Sequence, residues 1–175
     1  MRPNLLILAG TTEATALACA LSKRGLAATL SFAGRVARPL PQPLPQRIGG
    51  FGGPEGLAAW LQAHRITHVI DATHPFAVQM SRNAVAACAK VDVPLLGLTR
   101  SPWTPLPGDH WIHVPDIAAA VAALNQPRSR VMLAVGRMHL AAFAPNPPHF
   151  YLLRLVDSPA ADHEGPFIVN ADPRT

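Results

Sequence analysis

The sequence has few of the residues and segments that mark secreted, metal-binding or membrane-spanning proteins. Its 175 residues include two cysteines, Cys19 and Cys88, and both fall within alanine-rich helical patterns. This pattern favours cysteine as a small buried side chain, so we predict neither a disulfide framework nor a metal site. The apolar run near the amino terminus is too short for a signal-peptide core, and no apolar stretch approaches the ~18 residues of a membrane span. We therefore expect a cytoplasmic protein with no membrane partner.

Charged residues are also scarce. They make up 14% of the sequence against 49% apolar residues, which is typical of a globular chain and not of a disordered one. Lysine and arginine (15) outnumber aspartate and glutamate (10), so the net charge is +5. No run of cations is interleaved with aromatic residues, as nucleic-acid binding would require. The basic balance therefore favours a small anionic ligand over nucleic acid.

The first hundred residues alternate short apolar runs with helical patterns. We predict strands at 4–9, 27–32, 67–72 and 93–98, a short strand entering "IGGFGG", and helices at 12–24, 54–64 and 75–90. Proline at position 75 is expected in the first turn of the last of these helices. Strands that alternate with helices predict an α/β fold with a parallel sheet covered on both faces.

A proline-rich segment interrupts this alternation. Residues 101–111 hold three prolines and one glycine and continue neither periodicity. We therefore predict a first domain at 1–100, a linker at 101–115 and a partial second α/β domain at 116–175. In the second domain Asp116 is expected to cap an alanine-rich helix, and two strands are predicted at 130–135 and 149–156. Two strands and two short helices bury little, so this domain is expected to be incomplete.

The start of the first helix suits a phosphate group, because unpaired N–H groups and a positive dipole end follow the first strand directly. Gly10 permits the sharp turn, and Thr11 and Thr12 either cap the helix or offer hydroxyl groups to a phosphate oxygen. The full G-x-G-x-x-G fingerprint is absent, and Glu13 already complements the helix dipole. Both interpretations of the threonines therefore remain open.

The end of the second strand lacks the carboxylate that enzymes using NADH place there for the ribose 2′-hydroxyl. The sequence runs on as "SFAGRVAR", which places Gly34 in the turn and Arg35 where a 2′-phosphate would lie. The alternative is a solvated loop arginine. If Arg35 does contact the cofactor, that cofactor is NADPH.

Two further stretches carry polar and flexible residues to strand ends. "IDATHPFA" places Asp71, Thr73 and His74 just outside the carboxyl end of a parallel strand, where open α/β sheets bind ligands. "IGGFGG" places four glycines around Phe51, which allows a close backbone approach to a bulky or phosphorylated ligand or is simply a mobile turn.

In this order, "LILAGTTEA", "SFAGRVA", "RIGGFGGPEGLAAWL", "VIDATHPFA" and "VPLLGLTRSPW" resemble the precorrin-6A reductase family. The resemblance is strong over residues 5–111 and looser beyond them. It implies two Rossmann-like domains, NADPH as cofactor, and hydride transfer to an anionic tetrapyrrole, precorrin-6A or its cobalt form. It also implies other enzymes of corrin synthesis as partners. Family members continue after the "GPF" region, so this chain is expected to be truncated at its carboxyl end.

The chemistry of this substrate directs attention to cations and proton donors. Precorrin-6A carries several carboxylates, for which arginines near strand ends are suited, and histidine titrates near neutrality. The predicted cofactor-binding residues are Gly10, Thr11, Thr12, Gly34, Arg35, Gly50, Gly52, Asp71 and Thr73. The predicted substrate-binding residues are Arg38, Phe51, Arg100, Arg137 and Arg154, and the predicted catalytic residues are His74 and His139.

Two alternatives belong to other functional classes. A reductase of another small substrate is one, although no Tyr-x-x-x-Lys pair is present and the single tyrosine, Tyr151, lies in a predicted strand. A nucleotide-binding module without turnover is the other.

Overall fold

A computed structural model of the chain describes residues 2–34, 41–143, 149–155 and 167–170. The chain divides into two compact units, Met1–Trp103 and Thr104–Thr175. The division falls within the segment that the sequence predicts as a linker. No helix in these described ranges has both the length and the apolar character needed to cross a membrane.

The first unit is a parallel five-stranded sheet with three helices. Its strands follow the order β3-β2-β1-β4-β5, and every neighbouring pair runs parallel. In chain order the elements are β1 (Asn4–Leu8), α1 (Thr12–Lys23), β2 (Ala27–Phe32), β3 (Gln46–Ile48), α2 (Gly53–Ala63), β4 (His68–Asp71), α3 (Val78–Val91) and β5 (Leu95–Gly97).

Two apolar layers hold the helices against opposite faces of this sheet. Alternate residues of β1 point to opposite faces, so Leu5 and Ile7 join one layer while Leu6 and Leu8 join the other. Helix α1 packs on the first face. Helices α2 and α3 pack on the second. The predicted α/β fold with a sheet covered on both faces is therefore confirmed for this unit.

Helix α3 begins three residues later than its pattern predicts, at Val78 and not at Pro75. Pro75 and Phe76 instead form a turn, which the Ala77 N–H closes by donating to the His74 carbonyl at 2.7 Å. Placing Pro75 in the first helical turn was therefore wrong. The turn sets His74 on a connection after β4, outside the helix.

The second unit contains a smaller parallel sheet. Its described elements are α4 (Ile117–Ala123), β6 (Arg130–Leu133), a 3₁₀ helix (Arg137–Ala142), β7 (Phe150–Arg154) and β8 (Phe167–Asn170), with the strands in the order β6-β7-β8. The prediction of two strands here was wrong, because β8 adds a third. Asp116 caps α4 as predicted, its carboxylate accepting from the Ala119 N–H at 2.8 Å.

One apolar cluster stabilises the second unit. Leu133 of β6 and Tyr151 and Leu153 of β7 are buried together against Leu140 and Phe143. Leu152, between Tyr151 and Leu153, is half-buried, and Met132 of β6 is 61% exposed. Within the described residues, this sheet is therefore packed on one face.

Buried His149 joins three segments of the second unit. Its Nε2 lies 2.6 Å from the Leu124 carbonyl, and its Nδ1 lies 3.2 Å from the Ser129 amide and 3.1 Å from the Ser129 hydroxyl. The carbonyl can only accept, so Nε2 carries the proton and Nδ1 accepts. The ring thereby ties the end of α4 to the starts of β6 and β7.

Candidate functional site

The carboxyl ends of β1 and β4 form the switch point of the first sheet. These neighbouring strands lead into helices on opposite faces, β1 into α1 and β4 into α3. In open α/β sheets, connections that diverge in this way leave a crevice between them, and ligands bind there. The predicted residues from Gly10 to Thr12 and from Asp71 to His74 border this crevice.

Gly10 and Thr11 shape the connection from β1 to α1. Gly10 has a φ of 147°, and a Cβ built on it meets nothing within 4 Å, so the space beside it is open. The Thr11 hydroxyl accepts from the Ala14 N–H at 3.2 Å and donates to the Ala72 carbonyl at 2.8 Å. Thr11 is therefore a helix cap that also joins the two sides of the crevice, and its role toward a phosphate stays a prediction.

Thr12, Glu13 and Arg100 form a hydrogen-bonded group at the start of α1, here called the Arg100 cluster. One guanidinium nitrogen of Arg100 donates to the Thr12 hydroxyl at 3.1 Å and to a Glu13 carboxylate oxygen at 3.0 Å. The second Glu13 oxygen lies 2.8 Å from the same nitrogen. The bond from Arg100 lowers the pKa of Glu13 to about 2, and the same bond raises the pKa of Arg100. The cluster is thus ionised at neutral pH.

The connection after β4 is ordered by its own side chains. Asp71 accepts from the amide and the hydroxyl of Thr73 at 3.1 and 2.7 Å. His74 Nδ1 accepts from the Phe76 N–H at 3.3 Å, so the neutral ring carries its proton on Nε2. Phe76 is 87% exposed, with its ring centroid 5.0 Å from that of His74. The histidine therefore presents an N–H from an exposed turn.

Sequence reasoning missed Arg47, which organises the glycine loop 49–53. Its guanidinium donates to the Ser31 hydroxyl at 2.7 Å and to the carbonyls of Gly49 and Gly50 at 2.9 and 3.0 Å. It also lies 3.8 Å from the centroid of the Phe51 ring. Burial lowers the pKa of Arg47. In the sequence, Arg47 is one charged residue in a three-residue strand, and nothing in that pattern indicated that its side chain would contact the loop.

Gly56 was missed as well. A Cβ built on it would lie 1.7 Å from the Phe51 carbonyl oxygen, so no other residue fits without moving the glycine loop. The available signal was a glycine inside a predicted helix, where it costs about 1 kcal/mol relative to alanine and so implies a packing reason.

The remaining glycines of the prediction lie near this loop. A Cβ on Gly34 would lie 3.3 Å from the Ile48 side chain. A Cβ on Gly50 or Gly52 would meet no atom within 4 Å. Phe51 stacks edge-on to Trp60 with centroids 5.6 Å apart. Trp60 is therefore placed to report on ligands that disturb the loop.

Several predicted residues lie elsewhere. Arg35 and Arg38 are outside the described residues, and so is the side chain of Arg137, whose backbone begins the 3₁₀ helix. His139 lies within that helix, and Arg154 is exposed at the end of β7. Within the described ranges no three His, Cys, Asp or Glu side chains are grouped to hold a metal ion.

The strand order and the switch point between β1 and β4 define the first unit as an α/β domain of the Rossmann type. The chain matches the family described as Precorrin-6x reductase CbiJ/CobK over residues 4–170. It therefore belongs to this family of oxidoreductases, whose reductase chemistry implies a nicotinamide cofactor.

Named relatives agree with this membership. A precorrin-6A reductase of Rhodobacter capsulatus is 54% identical over 97% of this chain and 71% of its own length. A precorrin-6A reductase of Sinorhizobium is 47% identical over 89% of this chain. A solved structure described as CobK precorrin-6A reductase is 54% identical, has a TM-score of 0.89, and covers 97% of this chain. The resemblance recognised from the sequence motifs is confirmed.

The chain is shorter than these relatives. It spans 60% of the Sinorhizobium protein and 68% of the solved CobK chain.

Proposed function

We propose that this chain transfers a hydride from NADPH to precorrin-6A, or to its cobalt form, and so catalyses a step of corrin synthesis. The observation that carries the proposal is the family match over residues 4–170, joined to a switch point at the carboxyl ends of β1 and β4 in the first sheet. The reaction adds one hydride and one proton across a double bond of the macrocycle. Its products are precorrin-6B and NADP⁺.

The residues at the crevice fit the phosphates of a dinucleotide. The start of α1 supplies the positive end of a helix dipole, and Gly10 leaves open space where the backbone must come close to a pyrophosphate. The bound nicotinamide would supply the hydride, while the protein supplies orientation and electrostatics. Thr12 keeps an exposed hydroxyl near the same helix start, and Gly50 and Gly52 leave the glycine loop open.

The preference for NADPH rests on the residues that follow β2. The sequence between β2 and β3 contains no carboxylate, and Arg35 follows Ala33 and Gly34 directly. A charge-assisted contact between an arginine and a 2′-phosphate contributes about 1.5 to 3 kcal/mol, so NADPH should bind at least about tenfold more tightly than NADH. Arg35→Ala should abolish the difference, and Arg24→Ala, at the far end of α1, is the matched control.

His74 is proposed as the donor of the proton. The Phe76 amide donates to its Nδ1, so the N–H of Nε2 is the group that would donate a proton. The anionic substrate is proposed to be held by arginines, of which Arg38, Arg137 and Arg154 remain predictions.

Anaerobic incubation of the protein with NADPH and precorrin-6A tests the proposal. We expect NADPH oxidation that requires the macrocycle and a product two hydrogens heavier than precorrin-6A. Oxidation with a different carbonyl or imine substrate alone would assign another reductase activity. Binding of NADPH without oxidation in any mixture would leave a nucleotide-binding module and contradict the proposal.

A further inference from the structure

The Arg100 cluster places an acidic side chain where an anionic ligand is proposed to bind. Glu13 lies in the first turn of α1, beside the N–H groups of the helix start, and its carboxylate accepts from Arg100. A phosphate at this helix start would approach the same N–H groups. Two negative charges brought this close repel each other, more strongly near a protein surface than in bulk water. An uncompensated Glu13 would therefore weaken dinucleotide binding.

Arg100 compensates that charge from a distant part of the chain. It follows β5, 87 residues after Glu13, and its guanidinium contacts both carboxylate oxygens within 3.0 Å. The same nitrogen donates to the Thr12 hydroxyl oxygen. The Thr12 O–H donates to a Glu13 carboxylate oxygen at 3.2 Å, a bond that it would exchange for one to a phosphate oxygen.

We propose that Arg100 is a positioning residue of the dinucleotide site, which neutralises Glu13 and orients Thr12, and that it is not a ligand of the macrocycle's carboxylates. This inference rests on the proposed function, because it concerns the same crevice. It changes the role that the sequence suggested for Arg100. The geometry supports the change, since one terminal nitrogen of the guanidinium contacts both Thr12 and Glu13 of α1.

A double-mutant cycle on the full chain tests this role by NADPH titration, with tryptophan fluorescence as the readout. Arg100→Met should raise the dissociation constant for NADPH about tenfold, because the Glu13 charge is then exposed to the phosphates. Glu13→Gln alone should change it less than about threefold. The double variant should return to within about threefold of the wild type, because the repelling charge is gone.

Rescue by the second substitution is the decisive result, since lost folding or a lost direct contact would not be repaired by Glu13→Gln. Arg24→Met removes the same charge from the other end of α1 and should leave the affinity unchanged. Thermal melts of each variant separate lost binding from lost folding. A double variant as weak as Arg100→Met, or an Arg100→Met variant with normal affinity, would overturn the inference alone. A wild-type protein that does not bind NADPH would overturn the proposed function and the inference together.

Discussion

The two units differ in how their sheets are covered. The first unit has five strands between two apolar layers, and Leu6, Ile7 and Leu8 of its central strand are at most 1% exposed. The second has three strands and one apolar cluster, and its β6 exposes Met132. A parallel strand is buried on both sides only when helices cover both faces. The difference teaches that the first unit should hold its fold by itself, whereas the described part of the second unit depends on one packed face.

The largest effect is expected when Tyr151, in the apolar cluster of the second unit, is truncated. Tyr151 is 2% exposed and packs edge-on to Phe143 with centroids 6.5 Å apart. Tyr151→Ala should destabilise the second unit by about 3 to 5 kcal/mol, as for other large aromatic truncations. Hydrogen exchange should show fast exchange after residue 104 and unchanged protection in β1 and β4. Equal loss of protection in both units would show that they unfold together, which would contradict the independent stability of the first unit.

The next test is directed at the first unit. Gly56→Ala forces a Cβ against the Phe51 carbonyl, so the glycine loop must shift, at a cost of about 1 to 3 kcal/mol for overpacking. We also expect a weaker NADPH complex and a changed Trp60 emission. Gln62→Ala, on an exposed position of the same helix, is the control. A Gly56→Ala protein with wild-type melting and affinity would show that the loop yields freely.

The first unit's architecture was largely predictable from sequence because strong apolar runs alternate with helical patterns. The bounds of β2 were predicted without error, and α1 and α2 within a residue at each end. The start of α3 was missed because a proline suits a helix's first turn and a tight turn alike. Strand β8 was missed because a four-residue segment with three apolar residues is too short to show a periodicity that would identify it.

Long-range contacts within the candidate site were not predictable. Arg100 and Glu13 are far apart in sequence, and only the folded sheet brings them together. Arg47 was overlooked for the same reason, because its partners become neighbours through the pairing of β2 with β3. The residue types at strand ends directed attention to the carboxyl ends of β1 and β4. Their individual roles toward NADPH and the macrocycle remain predictions.

A smaller effect separates the two threonines at the helix start. Thr11→Val removes a helix cap and a bond to Ala72, so stability should fall by about 1 kcal/mol. Thr12→Val removes an exposed hydroxyl and should weaken NADPH binding with less effect on melting. Chemical denaturation and NADPH titration of both variants measure the contrast. The reverse pattern, with Thr11 controlling affinity and Thr12 stability, would contradict these roles.

The smallest effect is the pH dependence of the Glu13–Arg100 pair. The pKa of Glu13 falls from 4.5 to about 2 in the folded protein, so folding favours its ionised form. The contribution to stability is therefore present above about pH 4.5 and is lost as the pH falls toward 2. Because Arg100 is exposed and Glu13 is only half-buried, the difference between wild type and Glu13→Gln should be slight and should shrink with added salt. A difference that grows as the pH falls would have the wrong sign.

Isotope transfer from NADPH tests the central claim most directly. NADPH labelled with deuterium at the position that donates the hydride is incubated with the protein and precorrin-6A in ordinary water, and the product is analysed by mass spectrometry. We predict a reduced macrocycle that carries one deuterium from the cofactor and one hydrogen from solvent, as hydride transfer followed by protonation requires. Oxidation of NADPH that leaves the macrocycle unlabelled, or tight NADPH binding with no reduction at all, would contradict the account.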